Sequence, residues 1–220
     1  MNSLNSKDIK SIFVALHKVM DEEKDYLINI DAKVGDGDLG ITMQKGFKAA
    51  DEQLQVCDSD DIGFLLSKAG MTIASEAPST MGTLVGTGFM KAGKALKNKN
   101  EINLSDLAKA LDQFVDGVMT RGKAKPGEKT IIDSLLPVAH SLKASTKEGK
   151  TLEKAISRAY QAAVDGLEAT KEMIPQHGKQ VVHREKSRGL QDPGATVGTL
   201  IIRTIANHIL ERPFNGHLKS

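Results

Sequence analysis

A disulfide scaffold is excluded at the outset, because the 220-residue chain holds one cysteine, Cys57. An intramolecular bridge needs two, so a reduced, cytoplasmic setting is the expectation. Tryptophan is absent and aromatic residues make up 4% of the chain. That argues against a sheet-rich fold, since strands favour aromatic and β-branched side chains. Neither sign of charge dominates: 30 Lys and Arg stand against 28 Asp and Glu, for a net charge of +2. With no basic stripe and no acidic tail, nucleic acid is not an expected partner. No apolar run approaches the roughly 18–20 residues that span a bilayer. The N-terminal stretch MNSLNSKDIKSIFVALHKVMDEEKDY also lacks the apolar centre of a signal peptide, so no membrane association is expected.

The chain is rich instead in Ala, Leu, Ile, Lys and Met, a mixture that favours helix. Apolar residues recur at helical spacing in three clear stripes. One runs through Ile9, Ile12, Phe13, Leu16, Val19 and Met20; another through Leu107, Leu111, Phe114, Val115 and Val118; a third through Leu200, Ile201, Ile205, His208 and Ile209. Ser6, Ser105 and Thr151 are the candidate N-caps, and Lys154 rules out a capping box at Thr151. The pattern predicts eight helices, at about 6–27, 39–53, 60–77, 82–96, 105–121, 130–146, 151–170 and 194–211. Only the pentapeptide LINID could pass for a strand. The expected fold is all-α, a single domain over 1–220, with no internal repeat.

Four polar segments carry residues that a plain bundle does not need. The first is Asp31-Ala-Lys-Val-Gly35-Asp36-Gly37-Asp38-Leu39-Gly40. It contains the Gly-x-Gly-x-x-Gly spacing of a dinucleotide turn, yet its variable positions are aspartates that would repel a pyrophosphate. A hard divalent cation between carboxylates and phosphate removes that conflict, and oxygen-only ligands suit magnesium, manganese or calcium rather than zinc. An EF-hand is excluded, because counting from Asp36 puts Gly40 at position 5 and Phe47 at position 12. The plainer reading is that the aspartates form turns and cap the helix that begins near Leu39.

The second segment, Ala77-Pro-Ser79-Thr80-Met81-Gly82, offers small residues at a helix start, where backbone N–H groups can meet an anion or Ser79 can simply cap. Just beyond it, Gly88-x-x-x-x-Gly93-Lys94-Ala95 imitates a P-loop but has Ala95 where a hydroxyl must reach the metal, and it falls inside a predicted helix. The third segment runs from Arg121-Gly122 through Pro126-Gly127 to Ile131, and reads equally as a nucleotide-covering turn or a basic connection. The fourth is the long connection 171–193, with Gly178-Lys179 and Gln191-Asp192-Pro193-Gly194; such length suits a lid, a binding loop or a solvated loop. His17, His140 and His208 show no zinc spacing, and His208 reads as a packed core histidine. No nucleophile elbow appears.

Taken together and in order, VGDGDLGITMQKGF, GTLVGT, RGKAKPGEKTIIDSLLP and GLQDPGAT resemble the nucleotide-binding subunit of dihydroxyacetone kinases, over about 30–210. The resemblance implies an eight-helix antiparallel barrel with Mg-ADP or Mg-ATP at one end. It implies that Asp31, Asp36 and Asp38 hold two Mg2+ ions. Leu39, Gly40, Ile41 and Thr42 would contact phosphate at a helix start, with Thr80 and Met81 nearby. Gly122, Ile131 and Lys179 would line the nucleotide, and Asp192, Pro193 and Gly194 would close the site. No side chain is assigned as a nucleophile, which suits phosphoryl transfer that rests on positioning and metal charge.

The resemblance also implies partners. A separate K-type subunit would hold the small ketose through a histidine, and a phosphohistidine M-type subunit would recharge bound ADP; a homodimer is allowed. In the other branch of the family the domain is fused to its partner and uses exchangeable ATP, for another short sugar in some members. A nucleotide-sensing regulator of a transcription factor is the non-enzymatic alternative. Five features depart from the family pattern: Leu39 for its usual His, Thr42 for Asn, Pro-Ser-Thr-Met-Gly for its Gly-Ser-rich turn, Gly178-Lys179 for Gly-Arg, and Val181-Val-His183-Arg184-Glu185-Lys186-Ser187 for its Ser-Tyr-Leu-Gly-Glu-Arg-Ser stretch.

Overall fold

The computed structural model describes residues 2–211, and the predicted helix over 194–211 is the last element within them. Nine α-helices occur among these residues. They are α1 (Ser6–Glu22), α2 (Lys24–Ala32), α3 (Leu39–Gln55), α4 (Ile62–Glu76), α5 (Thr80–Ala95), α6 (Leu104–Gly122), α7 (Ile131–Lys147), α8 (Leu152–Ala169) and α9 (Pro193–Leu210). Eight of them close a ring. Each of α3 through α9 packs on the next, α9 returns to α1, and α1 packs on α3. The ninth, α2, bridges α3 and α9 outside that sequence of neighbours.

Two expectations need correction here. The helix foreseen over 6–27 is two helices, broken at Glu23, whose backbone leaves helical geometry at φ −94°, ψ 4°. Glu23 is held there by Arg203 of α9, at 3.2 Å. The LINID segment is not a strand; it lies within α2 and buries Leu27. The strand that does form is a two-residue antiparallel ladder pairing Leu4–Asn5 with Glu101–Ile102, too short for any periodicity to announce.

Local chemistry sets the boundaries. The caps of α1 and α6 are Asn5 and Asn103 rather than the expected Ser6 and Ser105, each closing a capping box with Asp8 and Asp106 respectively. Thr151 caps α8 without a box, as expected. Helix α7 runs through Pro137. The carbonyl of Asp133, four residues earlier and therefore without its usual partner, lies against Gly166 of α8, where a Cβ would overlap it.

The antiparallel pair α4 and α5 packs backbone to backbone. A Cβ on Gly63 would stand 2.5 Å from the Gly93 carbonyl oxygen, and one on Gly70 would stand 2.5 Å from that of Gly86. The glycines of the apparent P-loop are therefore helix-packing residues. Inside the ring, Phe13, Phe47, Phe89 and Phe114 form one cluster with centroids 5.1–6.4 Å apart. Four of the six phenylalanines are thus spent on the interior, where helices alone leave space that needs large, rigid side chains. Ring alternation brings the N-termini of α3, α5, α7 and α9 to the same end.

Candidate functional site

The aspartate loop joins α2 to α3 at that end. Gly37 turns it with φ +72°, a left-handed conformation that glycine adopts without penalty. The turn gathers Asp31, Asp36 and Asp38 so that one carboxylate oxygen from each lies within 4.8 Å of the others. Among the described residues no other group of His, Cys, Asp or Glu is so arranged. The turn-and-cap reading accounts for one of the three only. Asp31 Oδ2 accepts the Leu39 N–H at 3.3 Å, whereas Asp38, at the N-cap of α3, makes no capping bond with its side chain. Asp36 pairs with the Lys179 ammonium.

Three carboxylates this close repel one another, and a single lysine offsets one charge. The donor set is oxygen only, which fits a hard divalent cation such as Mg2+ and excludes a zinc-type site.

These carboxylates form one wall of a cavity of about 1080 Å³, just above the roughly 300–1,000 Å³ of small-molecule pockets. The facing walls are made from helix starts. Thr80 and Met81 begin α5, and Pro193 and Gly194 begin α9; Leu39, at the start of α3, lines the cavity on the carboxylate side. Each helix start carries about half a positive charge and unpaired N–H groups. Ser79 caps α5 by accepting the Gly82 N–H at 3.1 Å, leaving neighbouring amides for a ligand. Arg121, Gly122 and Lys179 also line the cavity. Acid on one wall and positive charge opposite is a polarity that suits an anion held through a cation.

Five of the sequence-assigned residues do not line the cavity. Gly40 packs against the Lys24 carbonyl of α2, where a Cβ would overlap it. Ile41 points outward and is 54% exposed. Thr42 spends its amide on Asp38 O at 2.9 Å. Ile131 is buried in the core, directly behind Gly194. Asp192 is buried beneath the Pro193–Gly194 turn and caps α9, accepting the Ala195 N–H at 2.6 Å and the Gln180 amide at 2.7 Å. Burial raises the Asp192 carboxyl to about 6, with the nearby charge of Asp133 adding to the shift and the two hydrogen bonds opposing it.

The cavity also uses residues that were not among the expected nucleotide contacts: Gln180, Leu84, and Arg121 at the head of the third segment. Arg121 and Gln180 adjoin Gly122 and Lys179 and were reachable by that adjacency; Leu84 follows only from the helical phase of α5. The core histidine expected at 208 is instead half-buried, with Nε2 3.0 Å from Asp8 Oδ1.

Fold and site together define an all-α ring whose converging helix starts face an acidic, cation-ready loop. The model of the DAK2 domain matches residues 33–207, and the chain belongs to that family. It is 33% identical over 204 residues to the ADP-binding subunit of the PEP-dependent dihydroxyacetone kinase of Escherichia coli K12, covering 93% of this chain and 97% of that protein. It is 32% identical over 179 residues to the L-erythrulose kinase of Pectobacterium atrosepticum, covering 80% of this chain but 30% of that protein. Among solved structures, the dihydroxyacetone kinase from C. freundii in complex with AMP-PNP and Mg2+ superposes with a TM-score of 0.70 at 25% identity, over 94% of this chain and 34% of that one. Among the described residues, no helix is long and apolar enough to cross a membrane.

Proposed function

We propose that this chain is the nucleotide-binding subunit of a dihydroxyacetone-type kinase, a single cytoplasmic domain that passes a phosphoryl group from Mg-nucleotide to a small ketose held by a separate K-type subunit. One observation carries the reading: three mutually close carboxylates at the start of α3 share one cavity with the N-termini of α5 and α9. The near-complete coverage of a relative that is itself named a subunit supports a separate partner. A phosphohistidine M-type carrier that recharges bound ADP belongs to the same reading.

Asp31, Asp36 and Asp38 would hold the cation, two Mg2+ ions in the full reading. A bound Mg2+ would offset phosphate charge and orient the transferring group. The amides at Thr80, Met81 and Gly194 would donate to phosphate oxygens, while the Leu39 amide stays on Asp31 and steadies the carboxylate wall. Lys179 would exchange its present partner Asp36 for phosphate once the cation neutralises that carboxylate, and Arg121 would lie on the same side. Gly122 and Pro193 would give the nucleotide a close, flat approach. Gly40, Ile41, Thr42, Ile131 and Asp192 would act by shaping the helix starts behind it.

Mass spectrometry of the gently purified protein tests the branch. Retained ADP is expected for the carrier-dependent enzyme; an empty protein that turns over ATP with its partner would favour the exchangeable-ATP branch. The erythrulose kinases at 32% and 31% identity favour that second reading for another short ketose. Asp36→Ala tests both. Mg-dependent ADP binding by calorimetry should be abolished with the helical spectrum intact, and unchanged affinity would refute the site.

A further inference from the structure

We infer that Lys129 is a positioning residue for this cavity: its buried ammonium ties down the strap 171–191, so that Lys179 and Gln180 stand over the aspartate loop. The inference rests on the nucleotide reading for its consequence, but on geometry for the tie itself.

Lys129 is 1% exposed. Its Nζ donates to the carbonyl oxygens of Met173 at 3.3 Å, Ser187 at 2.8 Å and Leu190 at 2.7 Å. An ammonium has three N–H donors, and three carbonyls take them all. Those carbonyls sit at both feet of the strap, and the residues between them include Gly178, Lys179 and Gln180, which line the cavity. The strap's other ties are polar: Lys179 pairs with Asp36, Gln180 donates to Asp192, and Lys171 pairs with Glu168. Within 174–186 only Pro175 is buried among the residues whose side chains are described, so apolar packing cannot fix its position. The adjacent Glu128 adds lateral ties, accepting the Gln176 N–H at 3.2 Å and meeting His177 at 2.6 Å.

A methionine would fill the same space. What lysine adds is directed hydrogen bonding to a segment whose regular structure is confined to 3-10 turns over Thr170–Glu172 and Lys179–Ser187, the second interrupted at Arg184. Burial opposes the charge on Lys129, while Asp192 and Glu172 nearby favour it. A buried lysine is rare unless it is paired in this way.

The test uses Lys129→Met and Lys129→Arg in the full chain, read by amide hydrogen exchange and by Mg-ADP calorimetry. Arginine keeps the charge, but its planar fork cannot place three donors on carbonyls that converge at one point. It carries the test even if the methionine variant does not fold. Both variants should exchange faster across 174–190 with α4 and α5 unchanged, and Mg-ADP affinity should fall roughly tenfold or more, the scale of losing a supporting contact. In a background of Lys179→Ala with Gln180→Ala, the same change at 129 should cost little further affinity. A folded variant with wild-type strap exchange overturns the tie, and so does an affinity loss undiminished in that background. If the wild-type protein itself fails to bind Mg-ADP, the nucleotide reading falls while the exchange data still judge the tie.

Discussion

Asp192 shows how one residue can serve a site without touching its contents. Its carboxylate caps α9 from a buried position, and burial lifts its pKa from 3.8 to about 6. The folded state therefore holds a proton between those values that the unfolded chain has lost. Stability contributed by this group is greatest below pH 3.8, falls as pH rises through the window, and levels off above about 6. The full difference is about 3 kcal/mol at 1.36 kcal/mol per unit. Asp192→Asn should remove the penalty, because Asn caps as well as Asp. With the Gln180 amide flipped, the new amide donates to Gln180 Oε1, now buried with no hydrogen-bond partner, in place of the bond that Asp192 accepts from Gln180 Nε2. Melting temperature measured against pH should rise relative to wild type above pH 6 and converge with it near pH 4. A constant offset at all pH values would assign the residue a purely steric role.

At the scale of elements, the α4–α5 seam depends on glycine pairs whose backbones touch. Gly70→Val would drive a branched side chain into the Gly86 carbonyl, 2.5 Å from where its Cβ must stand. Overpacking of this kind costs about 1–3 kcal/mol or more, and for a chain of this size each kcal/mol lowers the melting temperature by roughly 2–4 °C. A scanning calorimetry shift below 2 °C would mean that the helices separate at little expense. Helix caps give a smaller, cleaner effect: Asn103→Ala should cost about 1 kcal/mol in a urea titration, since it removes one side of a capping box.

The same scale explains what the sequence could and could not reveal. Periodicity located the eight ring helices, because most bury one stripe and signal it locally, while α9, buried on every side over 193–202, announces itself as an apolar run behind Asp192-Pro193. The break at Glu23 was hidden, since Arg203, 180 residues away, holds it. The aspartate loop was legible because acids and glycines are concentrated in eight contiguous positions. Lys129 was not, because a lysine in a polar turn reads as solvated until distant carbonyls close around it. Gly40, Ile41 and Thr42 lay within the assigned phosphate-contact stretch, but helical phase turns each away from the cavity.

Across the whole molecule, the cavity draws its walls from α2 and α3, from α5 and α6, and from the start of α9. Those elements are far apart in sequence and meet only when the ring is closed. A ligand that bridges them binds the folded chain and has nothing equivalent to bind in the unfolded one. Mass action then adds RT ln(1 + [L]/Kd), about 2.7 kcal/mol at a hundredfold excess over Kd, or roughly 5–11 °C in melting temperature. The shift should need both components, because the aspartate wall repels a bare diphosphate and the helix starts have no use for a bare cation. Mg2+ alone and ADP alone should each give much less than Mg-ADP, and Asp38→Asn should reduce the combined shift more than it changes the unliganded protein. A full shift with ADP in the presence of a chelator would put the nucleotide on the helix starts alone, and would leave the three carboxylates, gathered within 4.8 Å, without a part in binding it.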